Sequence, residues 1–464
     1  MRILLVVVHS VSCSIFPQGI AYVAAALKAA GHEVFGVNIN NFSTPASATD
    51  LLFNQLQLAK DRWEPEAMAV GGLSGDYPFV KRTIQFWRQL SPHTPIIIGG
   101  GIITADPDFI FRDLRPDFAI RSEAEIPIVK LVDAMQTTQD FVGIDGLIYW
   151  RNGVPVINAE ANRTKEMPDY PYPYYDPFDM EKFFALATGR QTRAFNGSTA
   201  QPRLFPVSAA RSCPFKCTFC FHSSGALYRQ RPIDDVVKEI EFFHDKYQFT
   251  MLTIYDELFS VSENRIFDFC EKLKKTGLNI EWGCALRVTD VKRNLLRQMK
   301  DAGCIIVGYG LESASDAVLA SMKKKIKKAD IFRALRLTEE SGIAFQGNFI
   351  FGDPAETPET IDETMSFFKE YCQDHPVELG LIRPYPGAQI FQGLLDRKVI
   401  TNKTDYYERI GKTNYDITAN YNMTAMPDDV FWQAVNDKIL GKSQLQPPKG
   451  GGLKHGTPEG GSRG

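Results

Sequence analysis

The chain reads as an α/β protein, a doubly wound parallel sheet followed by a partial (β/α)6 barrel of the TIM type. Three observations predict this. Short β-branched runs alternate with amphipathic helical stretches over residues 1–140, the alternation restarts at about residue 201, and a proline-rich segment separates the two blocks.

In the first block Ile3 to Val8, Val34 to Ile39, Ala67 to Leu73, Pro95 to Ile98 and Phe118 to Ile120 read as strands. The helical patterns between them are long enough for right-handed crossovers, hence a Rossmann-like sheet. Such a sheet takes ligands beyond the carboxyl ends of its strands. The sequence there is rich in glycine and hydroxyl groups: Val11 to Gly19 after the first strand, Gly71 to Gly75 after the third, and Gly99-Gly100-Gly101 after the fourth. Ser74, Gly75, Gly99, Gly100 and Gly101 are the candidate ligand residues. The first strand is followed by HSVSCSIFPQG and not by G-x-G-x-x-G, which argues against NAD or FAD.

Residues 141–200 read as an interdomain connection, because Met167-Pro-Asp-Tyr-Pro-Tyr-Pro-Tyr-Tyr-Asp-Pro177 carries four prolines in eleven residues. Its tyrosines are expected against an edge of the second domain. Over residues 201–387 six strands are expected, at Leu204 to Ala210, Met251 to Tyr255, Ile280 to Leu286, Ile305 to Tyr309, Phe345 to Phe351 and Glu378 to Ile382. Charged amphipathic helices such as Ile233 to Lys246 and Asn264 to Thr276 lie between them. Residues 388–443 form a C-terminal extension rich in aromatics (Tyr406, Tyr407, Tyr415, Tyr421, Phe431, Trp432), placed to close the barrel's open side or simply to pack. Residues 444–464 are too rich in Gly and Pro to pack and read as a flexible tail.

Composition narrows the function. A formal net charge of −3 gives no general attraction to nucleic acid, and the one dense basic run, Lys323 to Lys328, reads as the exposed start of a helix. No apolar stretch is long enough to be an integral membrane segment, and the apolar start is too short for a secretory signal, so a cytoplasmic protein is expected. Five of the eight cysteines are scattered singly, as buried free thiols are.

The other three, Cys213, Cys217 and Cys220, stand in Arg211-Ser-Cys-Pro-Phe-Lys-Cys-Thr-Phe-Cys-Phe-His222, a C-x3-C-x2-C triplet just past the first barrel strand. A structural zinc site closes its tetrahedron with a fourth ligand, for which His222 is the local candidate. Three cysteines on a 4Fe-4S cluster leave one iron open to a second molecule. In a barrel, reacting groups project from the carboxyl ends of the strands. Polar residues gather at all six: the cysteine loop, Asp256 and Glu257, Arg287, Glu312 and Ser313, Asn348, and Arg383.

The triplet, with Phe219 before its last cysteine, and the strand-end set over residues 204–387 resemble the radical S-adenosylmethionine (SAM) enzymes. That resemblance implies a 4Fe-4S cluster on Cys213, Cys217 and Cys220, with the open iron chelating SAM. Phe219 would lie against the adenine, and Glu257, Arg287, Glu312, Ser313 and Asn348 would hold the rest of the cosubstrate. The usual G-G-E after the second strand is replaced by Asp256 and Glu257. In the first block the entry Pro17-Gln-Gly-Ile-Ala-Tyr-Val, the Ile98-Gly-Gly-Gly strand end and Arg121-Ser-Glu-Ala-Glu125 resemble the cobalamin-binding domain of one large subfamily. The D-x-H-x-x-G run of other cobalamin proteins is absent, so no histidine ligand to cobalt is expected, His9 included. The resemblance implies a cobalamin-dependent methyltransferase acting on an unactivated carbon of a small-molecule substrate, fed by an electron donor such as flavodoxin or ferredoxin. Non-methylating radical chemistry, a first domain that has lost its cofactor and a cobalamin-binding sensor module are the alternatives. Methylthiolation is disfavoured because only Cys13 precedes the triplet.

Overall fold

A computed structural model describes residues 1–8, 16–41, 48–191, 203–259, 261–411 and 420–439. The expectations for His9, Cys13, Tyr415 and the tail from Gln444 lie outside these residues.

The first sheet comprises β1 (Arg2–Val7), β2 (Glu33–Asn38), β3 (Ala67–Gly71), β4 (Ile96–Gly99), β5 (Phe118–Ile120), β6 (Leu147–Arg151) and β7 (Val154–Ile157), in the order β2-β1-β3-β4-β5-β6-β7. The first five run parallel. Alternation along β1 explains why helices cover both faces: Leu4 and Val6 join one core with Trp87 and Ile98, while Ile3, Leu5 and Val7 join another with Ala24 and Leu27.

β6 and β7 pair antiparallel and extend this sheet, so part of the segment read as a connection belongs to the first domain. The local signal was Asn152-Gly153, both at positive φ (53° and 76°), the turn that joins hairpin strands. In the proline-rich stretch after it, Tyr172 and Tyr175 reach the second domain as expected, whereas Tyr174 lies under Lys28 of the first. Tyr175 packs edge-on against Phe205 and Phe243 at 5.3 and 5.2 Å.

The second sheet is built from β8 (Leu204–Val207), then, after the short ladder β9 (Ala210–Arg211) with β10 (Arg229–Gln230), from β11 (Met251–Ile254), β12 (Glu281–Leu286), β13 (Cys304–Glu312), β14 (Ala344–Phe351) and β15 (Val377–Leu381). Its order is β15-β14-β13-β12-β11-β8, all parallel, the six expected strands of a partial barrel.

The C-terminal extension splits its work. Helix Lys403–Ile410 docks on the first domain, with Tyr407 against Tyr77 and Phe109 at 5.1 and 5.3 Å and Lys403 paired with Asp106 at 2.7 Å. Helix Asp428–Ala434 stays with the barrel, where the Phe431 ring lies over Gly352. Among the described residues no helix is long and apolar enough to cross a membrane.

Candidate functional site

The cysteine loop leaves β9 through Ser212, held at φ 67°, and its hydroxyl donates to the Gly225 carbonyl to close the loop on itself. A left-handed non-glycine residue costs energy and persists where the surroundings determine it. Thr218 N–H donates to Met322 and Thr218 C=O accepts from Ile390, which pins the loop to both flanking segments. The three thiols are free of disulfides. The neighbouring Cys220 thiol holds Cys217 below its ordinary value and is itself raised in turn, with Lys324 and Arg287 further favouring the Cys217 thiolate.

Both ring nitrogens of His222 have partners other than the cysteines. Its Nδ1 bonds Glu257 and its Nε2 faces the Phe215 carbonyl at 3.1 Å. Among the described residues no three His, Cys, Asp or Glu side chains converge as a single ion requires. Three thiols on one short loop, with no fourth donor directed at them, are suited to a 4Fe-4S cluster that keeps one corner open.

Beside this loop the rim of the second sheet carries the charges. β13 ends in a register shift, and Glu312 sits there at φ 61°, nearly buried. Its carboxylate takes Lys324 Nζ at 2.7 Å and Asn348 Nδ2 at 3.4 Å. Arg287 lies 3.5 Å above the Phe215 ring and donates to the Lys324 and Lys325 carbonyls, while Phe219 presents its ring 5.9 Å from Lys324 Nζ. Thus Cys217, Phe219, Arg287, Glu312, Asn348 and Lys324 form one group. Two expected residues are otherwise engaged: Ser313 is buried, bonding Thr364 Oγ1 and Ser315 N–H, and Glu257 is held by His222. Next to Glu257, Asp256 is buried, accepts from Ala209 N–H at 2.9 Å and is pushed up to about 8 by burial.

Lys324 corrects the reading of Lys323 to Lys328 as a solvated helix start. The helix begins at Lys328; Lys323 and Lys325 adopt positive φ, and the turn between them directs Lys324 inward. Burial lowers its affinity for a proton, but Glu312 and the two thiols outweigh that and keep it charged. No periodicity in a run of five lysines and one isoleucine could have singled it out.

At the first sheet's rim the glycines do two jobs. A Cβ on Gly71 would stand 2.7 Å from the Gly99 carbonyl, and one on Gly100 (φ 85°) would stand 2.8 Å from the Gly72 carbonyl. These two let the ends of β3 and β4 touch. Gly99 faces open space, the kind of surface a flat ligand needs. Ser74 and Gly75 are covered by the C-terminal extension: Ser74 is buried, and Gly411 lies against the Gly75 carbonyl. Phe221, next to the last cysteine, connects the two rims, its ring touching the would-be Cβ positions of Gly101 and Gly387 (φ 86°).

The radical SAM superfamily model matches residues 207–368, and the B12-binding domain model matches residues 4–132. Similar proteins include an uncharacterized methyltransferase of Pyrococcus horikoshii, 26% identical over 81% of this chain and 78% of its own. The anaerobic magnesium-protoporphyrin IX monomethyl ester cyclase of Rubrivivax gelatinosus is 27% identical over 82% of this chain, which spans 66% of that enzyme's length. Among solved structures the radical SAM methyltransferase TsrM of Kitasatospora setae, with cobalamin and a 4Fe-4S cluster bound, superposes with a TM-score of 0.70 at 18% identity, covering 85% of this chain and 78% of its own. The cobalamin-dependent SAM radical enzyme OxsB gives 0.64 at 16% identity, over 92% of this chain and 58% of its own. The cofactors are accordingly a 4Fe-4S cluster, SAM and cobalamin. The chain thus carries a B12-binding domain followed by a radical SAM domain, the arrangement of the cobalamin-dependent radical SAM enzymes.

Proposed function

We propose that this enzyme transfers a methyl group to an unactivated carbon of a small molecule, of natural-product, lipid or tetrapyrrole-like type. The observation that carries the reading is Phe221, which brings the glycine rim of the first sheet and the charged rim of the second within one side chain of each other. A radical generator alone has no need of a methyl carrier at that distance. When bound, the cluster supplies one electron to cleave SAM to methionine and a 5′-deoxyadenosyl radical, and cobalamin supplies the methyl carrier.

The chain's own residues have separable tasks. Cys213, Cys217 and Cys220 hold three corners of the cluster. Glu312 and Lys324, an oppositely charged pair 2.7 Å apart, are matched to the ammonium and carboxylate of SAM, with Arg287 a second cation and Phe219 the flat surface for the adenine. Asn348 orients Glu312. Gly99 offers the open face for cobalamin. Ser313 and Glu257 act indirectly in this reading, Ser313 by fixing the turn after β13 and Glu257 by holding His222 against the cluster loop. Ser74 and Gly75 shape the floor under the C-terminal extension, Gly100 lets the ends of β3 and β4 meet, and Gly101 sets the approach of the two domains.

Overall, one substrate C–H, two SAM and two electrons give C–CH3, 5′-deoxyadenosine, methionine and S-adenosylhomocysteine. The electrons come from a donor such as flavodoxin or ferredoxin in a cytoplasmic setting. Turnover with methyl-labelled SAM tests the reading: label is expected in the product, with both nucleosides rising in step. Product carrying no label and 5′-deoxyadenosine alone would favour the cyclase-like alternative, which the Rubrivivax relative represents.

A further inference from the structure

The cluster loop is tied to the first domain through two carboxylates, and one of them gathers three contacts. After β5 the chain turns at Ser122 (φ 65°) and places Glu123 and Glu125 against the second domain. Glu123 accepts from both Nη atoms of Arg229, and pairs with Arg211 at 3.3 Å and Arg163 at 3.8 Å. Arg211 also binds Glu125 at 2.5 Å. These arginines meet one loop at three places. Arg211 lies two residues before Cys213, Arg229 lies on β10 where the loop returns, and Arg163 Nη1 donates to the Ser224 carbonyl midway, at 3.0 Å. Glu123 is thus the common partner of the loop's entry, middle and exit.

The group is deep. The Arg229 side chain is 1% exposed, and those of Glu123 and Arg211 are 10% and 12% exposed. Burial alone would raise the Glu123 carboxyl, yet the Arg229 hydrogen bond and the three guanidinium charges hold it below its ordinary value. Buried ion groups of this kind return little net stability, because desolvation offsets most of the attraction, but they admit few arrangements. Their effect here is on geometry. The neighbouring apolar contact, Phe221 and Ser223 against Gly101, fixes the same pair of surfaces.

We propose that Glu123 is a positioning residue that sets the distance between the cluster loop and the glycine-rich end of β4, and so couples SAM cleavage to methyl delivery. The coupling part rests on the methyl-transfer reading; the distance part needs only the two cofactors.

The test uses holoenzyme carrying the reduced cluster and cob(II)alamin, with pulsed dipolar EPR reporting the distance between the two spins. A narrow distribution is expected in the wild type and in Glu181→Gln, which loses only an exposed pair with Arg203. Glu123→Gln should broaden it, and Glu123→Asp, which keeps the charge, should restore part of the narrowness. In turnover, 5′-deoxyadenosine formed per methylated product should rise about tenfold in Glu123→Gln while the rate of SAM cleavage is kept. An unchanged distance distribution in folded Glu123→Gln would overturn the proposal, as would a fall in SAM cleavage and methylation by the same factor. Should Glu123→Gln fail to fold, Arg163→Met removes one strand of the tie and is read by the same two criteria. Wild-type enzyme that incorporates no labelled methyl would remove the methyl-transfer reading and leave the distance measurement to decide the role of Glu123.

Discussion

The rims of the two sheets face each other and are built on opposite plans. The barrel rim presents charged and polar side chains at its strand ends, several of them on left-handed or shifted backbone, as at Glu312 and Ser212. The first sheet's rim presents backbone, with glycines at Gly71, Gly99 and Gly100. In the proposed reading the barrel rim holds a small charged cosubstrate and a metal cluster by side chains, and the first rim holds a broad macrocycle by shape. The difference teaches that a polar strand end reports chemistry directly, whereas a glycine-rich one reports only that something comes close, and that something can be the protein itself.

The sharpest break of this contrast is on the barrel side. Cys217→Ala should abolish the brown absorption of the cluster and SAM cleavage together, while the first domain keeps cobalamin, read by its visible spectrum. Glu312→Gln should leave the cluster spectrum intact and raise the KM for SAM by about 10- to 100-fold, the worth of one hydrogen bond to a charged group. Cluster loss in that variant would place Glu312 in the wrong role.

On the glycine side the effects are smaller and should separate. Gly100→Ala meets both a left-handed backbone and the Gly72 carbonyl, so urea unfolding should show a loss of about 1–3 kcal/mol. Gly99→Ala, with open space around it, should leave stability unchanged within about 0.5 kcal/mol and weaken cobalamin retention. Equal destabilisation by both would make the rim purely structural.

A further effect, on pH dependence and not on the cofactors, concerns Asp256 beneath the barrel rim. Its folded carboxyl is held up to about 8 by burial, whereas the unfolded one ionises near about 4. Folding therefore takes up a proton between these values, and this group's contribution to stability falls as pH rises from about 4 to about 8. Asp256→Asn keeps an acceptor for Ala209 N–H and should flatten that part of the stability–pH profile, measured by urea midpoints.

Much of the fold was legible because its signals are local and repeated. All eleven expected strands are present, since β-branched runs between helical patterns leave few alternatives. The cysteine loop was legible because its three donors lie within eight residues. What escaped depended on tertiary contacts or on a signal passed over. Lys324 is set apart from its neighbours only by the turn that buries it. The Asn152-Gly153 turn signals a hairpin locally, but the prolines that follow dominate the pattern of residues 141–200. Glu123 gains its partners from segments 40, 88 and 106 residues away in sequence, which no pattern in a single chain could pair. The docking of helix Lys403–Ile410 on the first domain is of the same kind.

The central claim is that the barrel rim holds an open-cornered cluster poised to bind SAM. Mössbauer spectroscopy of anaerobically reconstituted protein tests it most directly, recorded with and without SAM. The account predicts a cluster with one iron distinct from the other three, whose signal alone changes when SAM is added. Four equivalent irons indifferent to SAM, or a protein that retains zinc in place of iron, would contradict it.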